Sequence, residues 1–344
     1  MTAGRACRNI RDMICEPTVL ILGAGASEPY GLPLGEQLVD DILQNLFDAP
    51  DNALRMVLRK LEYRDGDVET FREKLLGSGA LSIDEFLEGN DEVYVNIGKV
   101  AIADTVLRKE NRDKLLGSDK AKAHWYRYIW GKMRLNANRD NFEEENGLDI
   151  VTFNYDRSFE YYFTTVIENS FDIQRWEDAS SLFQRSVQVV HVHGCVGEAK
   201  NFASPSPRKS PYPETIRGAA DSIRVVHDPI AQDNPQFIQA RDLISNASCV
   251  AFIGFGYHPA NCTRLNLQQC LPKAIRQQGG PFASTYKMGE TEIELAREAL
   301  GVQNARFADT GLDGPGVLAG VPATQIVPGT VAGQIAGRAW NKWV

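Results

Sequence analysis

Four short stretches carry residues whose types and spacing could do chemistry. The first is Gly23, Ala24, Gly25, Ala26 and Ser27, directly after an apolar run. Glycines at such a turn let the backbone approach a pyrophosphate, and a following helix offers its first N–H groups to the anion. The match to a G-x-G-x-x-G fingerprint is incomplete, because position 28 is Glu. A turn that uses glycine only for packing is the alternative at this point. The second stretch is Thr152 to Asp156, where Asn154 and Asp156 follow a β-branched run. In an open parallel sheet, ligands bind beyond the carboxyl ends of the strands. The competing explanation is turn chemistry, since Asn and Asp often close a strand by bonding the local backbone.

The third stretch is His191, Val192, His193 and Gly194. On strand periodicity the two histidines share one face, and His193 stands at the strand's end, where a base is useful. Such a pair can also ligate metal, but no Cys or carboxylate cluster near it in sequence completes a site, and no metal is expected. The fourth is Gly254, Phe255, Gly256 and Tyr257, again after a buried-strand pattern, and a second place where backbone could come close to a ligand. An ordinary turn is the alternative there.

The elements that must position these groups are legible as periodicity. Thr18 to Leu22, Ile150 to Phe153, the alternating Val187 to His193 and Cys249 to Ile253 predict strands. Leu38, Ile42 and Leu46, then Leu54, Val57, Leu58 and Leu61, recur at helical spacing. Ser82 and Glu85 form a capping-box pattern before Phe86 and Leu87. Trp125, Tyr126, Ile129, Trp130 and Met133 make a helical apolar stripe, read as core rather than as a cofactor box. Glu292 to Leu300 predicts a helix, with a strand near Ala305. Ser204 to Glu214 is too rich in proline for regular structure. Strands separated by helical stretches predict an α/β protein, a Rossmann-like parallel sheet with helices on both faces and a large helical insertion. The expected organisation is an N-terminal arm over 1–16 and a main domain over 17–310 with its insertion at about 36–145. A Gly-rich C-terminal segment over 311–344 would complete the sheet or form an interface.

The chain has 344 residues, 43% of them hydrophobic, which suffices for a full core. A net charge of -8 disfavours non-specific nucleic-acid binding, which needs many phosphate-neutralising Lys and Arg. The six cysteines form no C-x-x-C pair, which indicates neither a zinc ribbon nor a disulfide framework. Met1 to Ile14 lacks the apolar region of a signal peptide, and no apolar run approaches the ~20 residues that span a bilayer. No membrane association is expected, and the cytoplasm is the expected compartment.

Taken in order, GAGAS (Gly23 to Ser27), GLPLG (Gly31 to Gly35), IDEFL (Ile83 to Leu87), TFNYD (Thr152 to Asp156), HVHG (His191 to Gly194) and FIGFGY (Phe252 to Tyr257) resemble the sirtuin-like family. The resemblance is to the bacterial branch that acts as NAD-consuming effectors in antiphage defence, and it covers roughly residues 17–260. Two departures from the protein-deacylating sirtuins stand out. Phe153 replaces the glutamine of their TQNID pattern, and no paired cysteines of a zinc module follow His193.

The resemblance implies an NAD+ hydrolase that cleaves the nicotinamide–ribose bond, with NAD as substrate and no metal. Asn154, Asp156 and His193 would be catalytic. Asn154 would position water or the ribose, Asp156 would hold the carboxamide, and His193 would act as base. Gly23, Ala24, Gly25, Ser27, Gly194, Gly254, Phe255, Gly256 and Tyr257 would hold the dinucleotide. It further implies a toxic effector acting by NAD depletion (abortive infection). Such an effector would be controlled by homo-oligomerisation or by a separate activating partner: a HerA-type ATPase, an Argonaute-like protein or a phage component. The competing functions are a non-catalytic NAD or nucleotide sensor, a protein ADP-ribosyltransferase or deacylase, and a structural subunit.

Overall fold

In the computed structural model, residues 16–47, 53–117, 125–135, 137–203, 212–225, 234–273, 275, 281–284, 289–301 and 306–308 are described. The expected N-terminal arm, except for its last residue, and the expected C-terminal segment lie outside them. Strand β1 (Thr18–Leu22) is buried at every position, as a five-residue apolar run must be when both faces are covered. It pairs in parallel with β2 (Leu148–Thr152) on one side and β4 (Cys249–Ile253) on the other. β3 (Val189–His191) extends the sheet beyond β2, and β5 (Phe282–Ser284) and β6 (Arg306–Ala308) extend it beyond β4, all in parallel. The strand order among the described residues is β3-β2-β1-β4-β5-β6, the doubly wound order. The fold is therefore the expected Rossmann-like sheet with helices on both faces and a large helical insertion.

The register positions the site. Leu22 stands opposite both Thr152 and Ile253, and Thr152 opposite His191. The chain thus leaves β1, β2, β3 and β4 at one level, and the residues that follow meet along one edge. Side chains alternate between faces along each strand. Leu20, Leu22, Ile150 and Ile253 pack against Tyr126 of α7 (Trp125–Met133), Phe159 and Phe163 of α8 (Ser158–Ser170) and Phe183 of α9 (Trp176–Ser186). Val19, Ile21, Val151 and Phe252 pack against Phe237 and Ile244 of α11 (Pro235–Asn246).

The helical stretch expected at 36–145 divides in two. A separate core is built by α1 (Gly35–Phe47), α2 (Ala53–Lys60), α3 (Asp65–Ser78), α4 (Ile83–Leu87) and α5 (Glu92–Lys109). It recruits α10 (Tyr212–Ser222) from beyond β3. The aromatic stripe of α7 belongs instead to the sheet's own core, where α6 (Arg112–Leu116) also sends Leu115. The join between α5 and α10 is polar as well as apolar. Asp104, wholly buried in α5, accepts from Arg108 at 2.6 and 2.8 Å and from the Tyr212 hydroxyl at 3.0 Å. A buried carboxylate survives only when paired in this way.

Three local expectations are corrected. The strand expected over Val187 to His193 is shorter, and the chain turns after His191. The proline-rich segment gives way to helix α10 at Tyr212, because Pro213 sits in its first turn, where no intrahelical N–H is needed. Most of that segment, 204–211, lies outside the described residues. Finally, two single 3₁₀ turns (Ala24–Ala26 and Glu28–Tyr30) follow the glycine turn, and the first long helix begins only at Gly35. Ser82 caps α4, its Oγ accepting from the Glu85 N–H at 3.2 Å, while the Glu85 carboxylate accepts from the N–H of the residue before the cap, Leu81, at 3.1 Å.

Candidate functional site

A cleft of about 560 Å³ opens at the carboxyl ends of β1, β2, β4 and β5, beneath α1 and α4. It is lined by Gly23, Ala24, Gly25 and Ser27 after β1, by Phe153 to Asp156 after β2, by His193 after β3, and by Gly254 to Gly256 after β4. Ten of the twelve residues picked from sequence for the site therefore lie on one cleft. It has the size of a small-molecule site.

The glycines of the first turn press backbone against backbone, the packing alternative that the sequence left open. Gly23 N–H donates to the Ile253 carbonyl at 3.0 Å, and Gly25 N–H donates to the Gly254 carbonyl at 3.1 Å. Ala26 and Ser27 donate back to Gly23 and Ala24. Four N–H groups of the turn are thus spent inside the fold. A Cβ on Gly23 would stand 2.4 Å from the Gly254 oxygen, and one on Gly254 would stand 2.1 Å from the Ala26 nitrogen. The turns after β1 and β4 press backbone on backbone at the point where strand order reverses. Glycine is required for that contact, and Gly254 also needs its left-handed φ of +57°. Trp125 and Tyr30 hold the turn from below: the Trp125 indole donates to Ala26 O at 2.8 Å, and the Tyr30 hydroxyl accepts from the Tyr126 N–H at 3.0 Å.

What the first turn does present is Ser27. Its buried hydroxyl accepts from Asn154 Nδ2 at 3.0 Å and also bonds the carboxyl of Asp156. The backbone N–H of Asn154 donates to Thr152 Oγ1 at 3.1 Å. Asn154 Oδ1 is buried and has no hydrogen-bond partner. Asp156 spends its Oδ1 on the Ser158 N–H, at 3.0 Å, and on the Ser158 hydroxyl, closing the start of α8. The turn-chemistry explanation therefore holds for Asp156 alongside its place in the cleft. Burial pushes its carboxyl above the ordinary range, and the bonds from Ser158 and Ser27 only partly offset that. Next to it, Arg157 fixes the loop by donating to Glu110 at 2.8 and 3.0 Å and to the Glu198 and Asn201 carbonyls.

The two histidines part company. His193 is 3% exposed, with Phe153 at 5.5 Å and Phe237 at 6.1 Å between ring centres. Phe153 thus walls in the candidate base. His193 Nδ1 makes no hydrogen bond, and the nearest carboxylate, Asp84 Oδ1, is 3.9 Å away. Asp84 is held in turn by the Tyr155 hydroxyl. His191 faces α8 and bonds Glu160 at 2.7 Å.

Gly194 and Tyr257 are placed elsewhere. Gly194, at φ +73°, bridges to Ile223, and a Cβ there would meet the Ser222 oxygen at 2.0 Å. The Tyr257 ring packs on Phe252 and Phe255 in the apolar layer.

Sequence reasoning missed the cleft residues Asp84, Glu88, His258, Arg264 and Ser284. Arg264, at the end of α12 (Pro259–Arg264), bonds Glu88 at 2.7 Å and ties the helical layer to the sheet's edge. Ser284 Oγ accepts from the Gly254 N–H at 2.9 Å. The lining is acidic: Glu28, Glu36, Asp84, Glu85, Glu88 and Asp156 face the cation Arg264, which is already engaged with Glu88. Such a wall favours a ligand, or a transition state, that carries positive charge. Among the described residues, no group of three or more His, Cys, Asp or Glu side chains is placed to hold a metal. No described helix is long and apolar enough to cross a membrane. No family model matches this chain, and no curated protein matches its sequence.

Proposed function

We propose that this chain is an NAD+ glycohydrolase that splits the nicotinamide–ribose bond to give nicotinamide and ADP-ribose. The observation that carries the reading is the meeting of Ser27, Asn154, Asp156 and His193 at the sheet's switch point. Two buried polar atoms there, Asn154 Oδ1 and His193 Nδ1, have no hydrogen-bond partner. Unsatisfied buried polar atoms cost free energy, and a polar substrate would satisfy them.

The chemistry suits the acidic wall. NAD+ carries a positive charge on its nicotinamide ring. As the glycosidic bond breaks, the electron pair goes to the ring nitrogen and the positive charge moves to the ribose, as in glycoside hydrolysis. Asn154 would bind the ribose or the attacking water, held at its own amide by Ser27. Water adds to the anomeric carbon, and His193 takes the proton released. Asp156 would meet the carboxamide with the part of its carboxyl not committed to Ser158. The site would work by positioning and electrostatics.

The resemblance to the defence branch of sirtuin-like proteins supports a cellular role as a toxic effector that depletes NAD. Under that role the chain self-associates or answers to a separate activating protein, in the cytoplasm. The test is nicotinamide release by purified protein, with Asn154→Ala and His193→Ala compared at equal folding. Full turnover by either variant would overturn the assignment. One observation favours a second reading, a nucleotide sensor without turnover: nothing orients His193 Nδ1 as a base. That reading predicts saturable NAD binding with no product.

A further inference from the structure

His191 is absent from the cleft lining, yet it is bonded on both ring nitrogens. Nδ1 lies 3.0 Å from the backbone carbonyl of Asn154, and Nε2 lies 2.7 Å from Glu160 Oε1. A carbonyl oxygen only accepts, so Nδ1 must carry a proton. An ionised carboxylate only accepts, so Nε2 must carry one too. The geometry is that of an imidazolium between two acceptors. Its position is set by the fold: β3 pairs Thr152 with His191, and the N–H of Val192 donates to the Thr152 carbonyl. Glu160 comes from the first turn of α8, the helix whose start Asp156 closes.

We infer that His191, held by Glu160, is a positioning residue that fixes the peptide of Asn154 and so aims the Asn154 side chain into the cleft. The inference rests on the proposed role of Asn154. The charged groups acting on the ring are Glu160 from α8 and Asp156 from the loop after β2, both acidic. Burial opposes the imidazolium, and the two carboxylates with the Asn154 carbonyl outweigh it, so the ring holds its proton above the ordinary histidine range. The neighbouring Cys195 thiol is pushed up to about 12, by burial first and Glu160 second, and adds no charge.

Loss of the ring proton at alkaline pH removes the bond to one of the two acceptors and loosens the Asn154 peptide. The clamp therefore gives turnover an alkaline limb that belongs to His191 and not to the base.

The test uses the full chain with three variants. His191→Leu should lower kcat between about 10- and 100-fold, with KM changed little, because a misplaced reacting group loses rate more than binding. His191→Asn keeps a donor near Nδ1 without a titrating charge; it should recover part of kcat and flatten the alkaline limb. Glu160→Gln should shift that limb to lower pH. Nitrogen-15 NMR of labelled histidine reads the clamp without any activity. Wild type should show both His191 nitrogens protonated at pH 7, and Glu160→Gln should move the transition to lower pH. An unchanged kcat and pH profile in His191→Leu, or a neutral His191 ring at pH 7, would overturn the inference while leaving the proposed function standing. If wild type itself releases no nicotinamide, the proposed function falls, and the nitrogen titration alone then decides whether the clamp exists.

Discussion

Substituting Gly254 by alanine separates two accounts of the glycine turns. If these glycines are small to admit a pyrophosphate, an added methyl group harms ligand binding and leaves the fold alone. If they are small because the β1 and β4 turns touch, the fold itself must yield. A Cβ at position 254 would stand 2.1 Å from Ala26 N, 2.3 Å from Gly25 C and 2.6 Å from Gly25 Cα, all of them backbone atoms. Backbone has no rotamer with which to move away. The left-handed φ of +57° adds about 1–2 kcal/mol for any residue with a Cβ. Overpacking against fixed atoms adds about 1–3 kcal/mol. The expected destabilisation is about 2–5 kcal/mol, a large share of the 5–15 kcal/mol that typically holds a domain together. Gly256 is the internal control, since a Cβ there meets nothing within 4 Å although it lines the same cleft. Gly256→Ala should stay within about 0.5 kcal/mol of wild type. Urea unfolding followed by tryptophan fluorescence reads both. Equal midpoints for Gly254→Ala and Gly256→Ala would refute the backbone-contact account.

Arg264→Met should destabilise by about 1–3 kcal/mol, because it leaves the half-buried Glu88 carboxylate without its cation; urea midpoints check this, and amide exchange should rise in α4. The thiols of Cys195 and Cys262 are pushed up to about 12 and that of Cys249 to about 11, each chiefly by burial. Native protein treated with iodoacetamide at pH 8 should therefore show these three unmodified by peptide mass mapping, whereas unfolded protein is alkylated at all of them. The His191 proton also links to stability. Its folded pKa is raised, so its contribution is fully present below the ordinary value of about 6.5 and is lost as pH rises through the folded value. The stability gap between wild type and His191→Leu should accordingly shrink as pH is raised from 6 towards 9, measured by urea midpoints across pH.

Local pattern carried much of the fold. Thr18 to Leu22 reads as a buried parallel strand, and the i, i+4 spacing of Leu38, Ile42 and Leu46 in α1 reads as an amphipathic helix, as the fold has them. What was not legible depends on contacts between distant segments. The helical layer takes α10 from about one hundred residues downstream of α5, and its own periodicity does not say where it docks. A signal was present in Asp104, a lone carboxylate inside an apolar helical run, which had to find partners; they are Arg108 and Tyr212. The site followed the same division. Asn154, Asp156 and His193 stand at strand ends and could be picked from position alone. Asp84 approaches His193 only because α4 folds over the sheet, and as an ordinary first-turn acid it carried no mark of that role. The glycines could be picked from sequence, but the contact they allow between two turns exists only in three dimensions.

The most direct test of the central claim is nicotinamide release from NAD+ by wild type and by Asn154→Ala, run across protein concentration and with any co-encoded partner. The account predicts release by wild type and a loss of about 10²–10³-fold in the variant, with both proteins folded. Equal release by the two would contradict the placement of Asn154 in the reaction, and no release by wild type under any of these conditions would contradict the hydrolase itself.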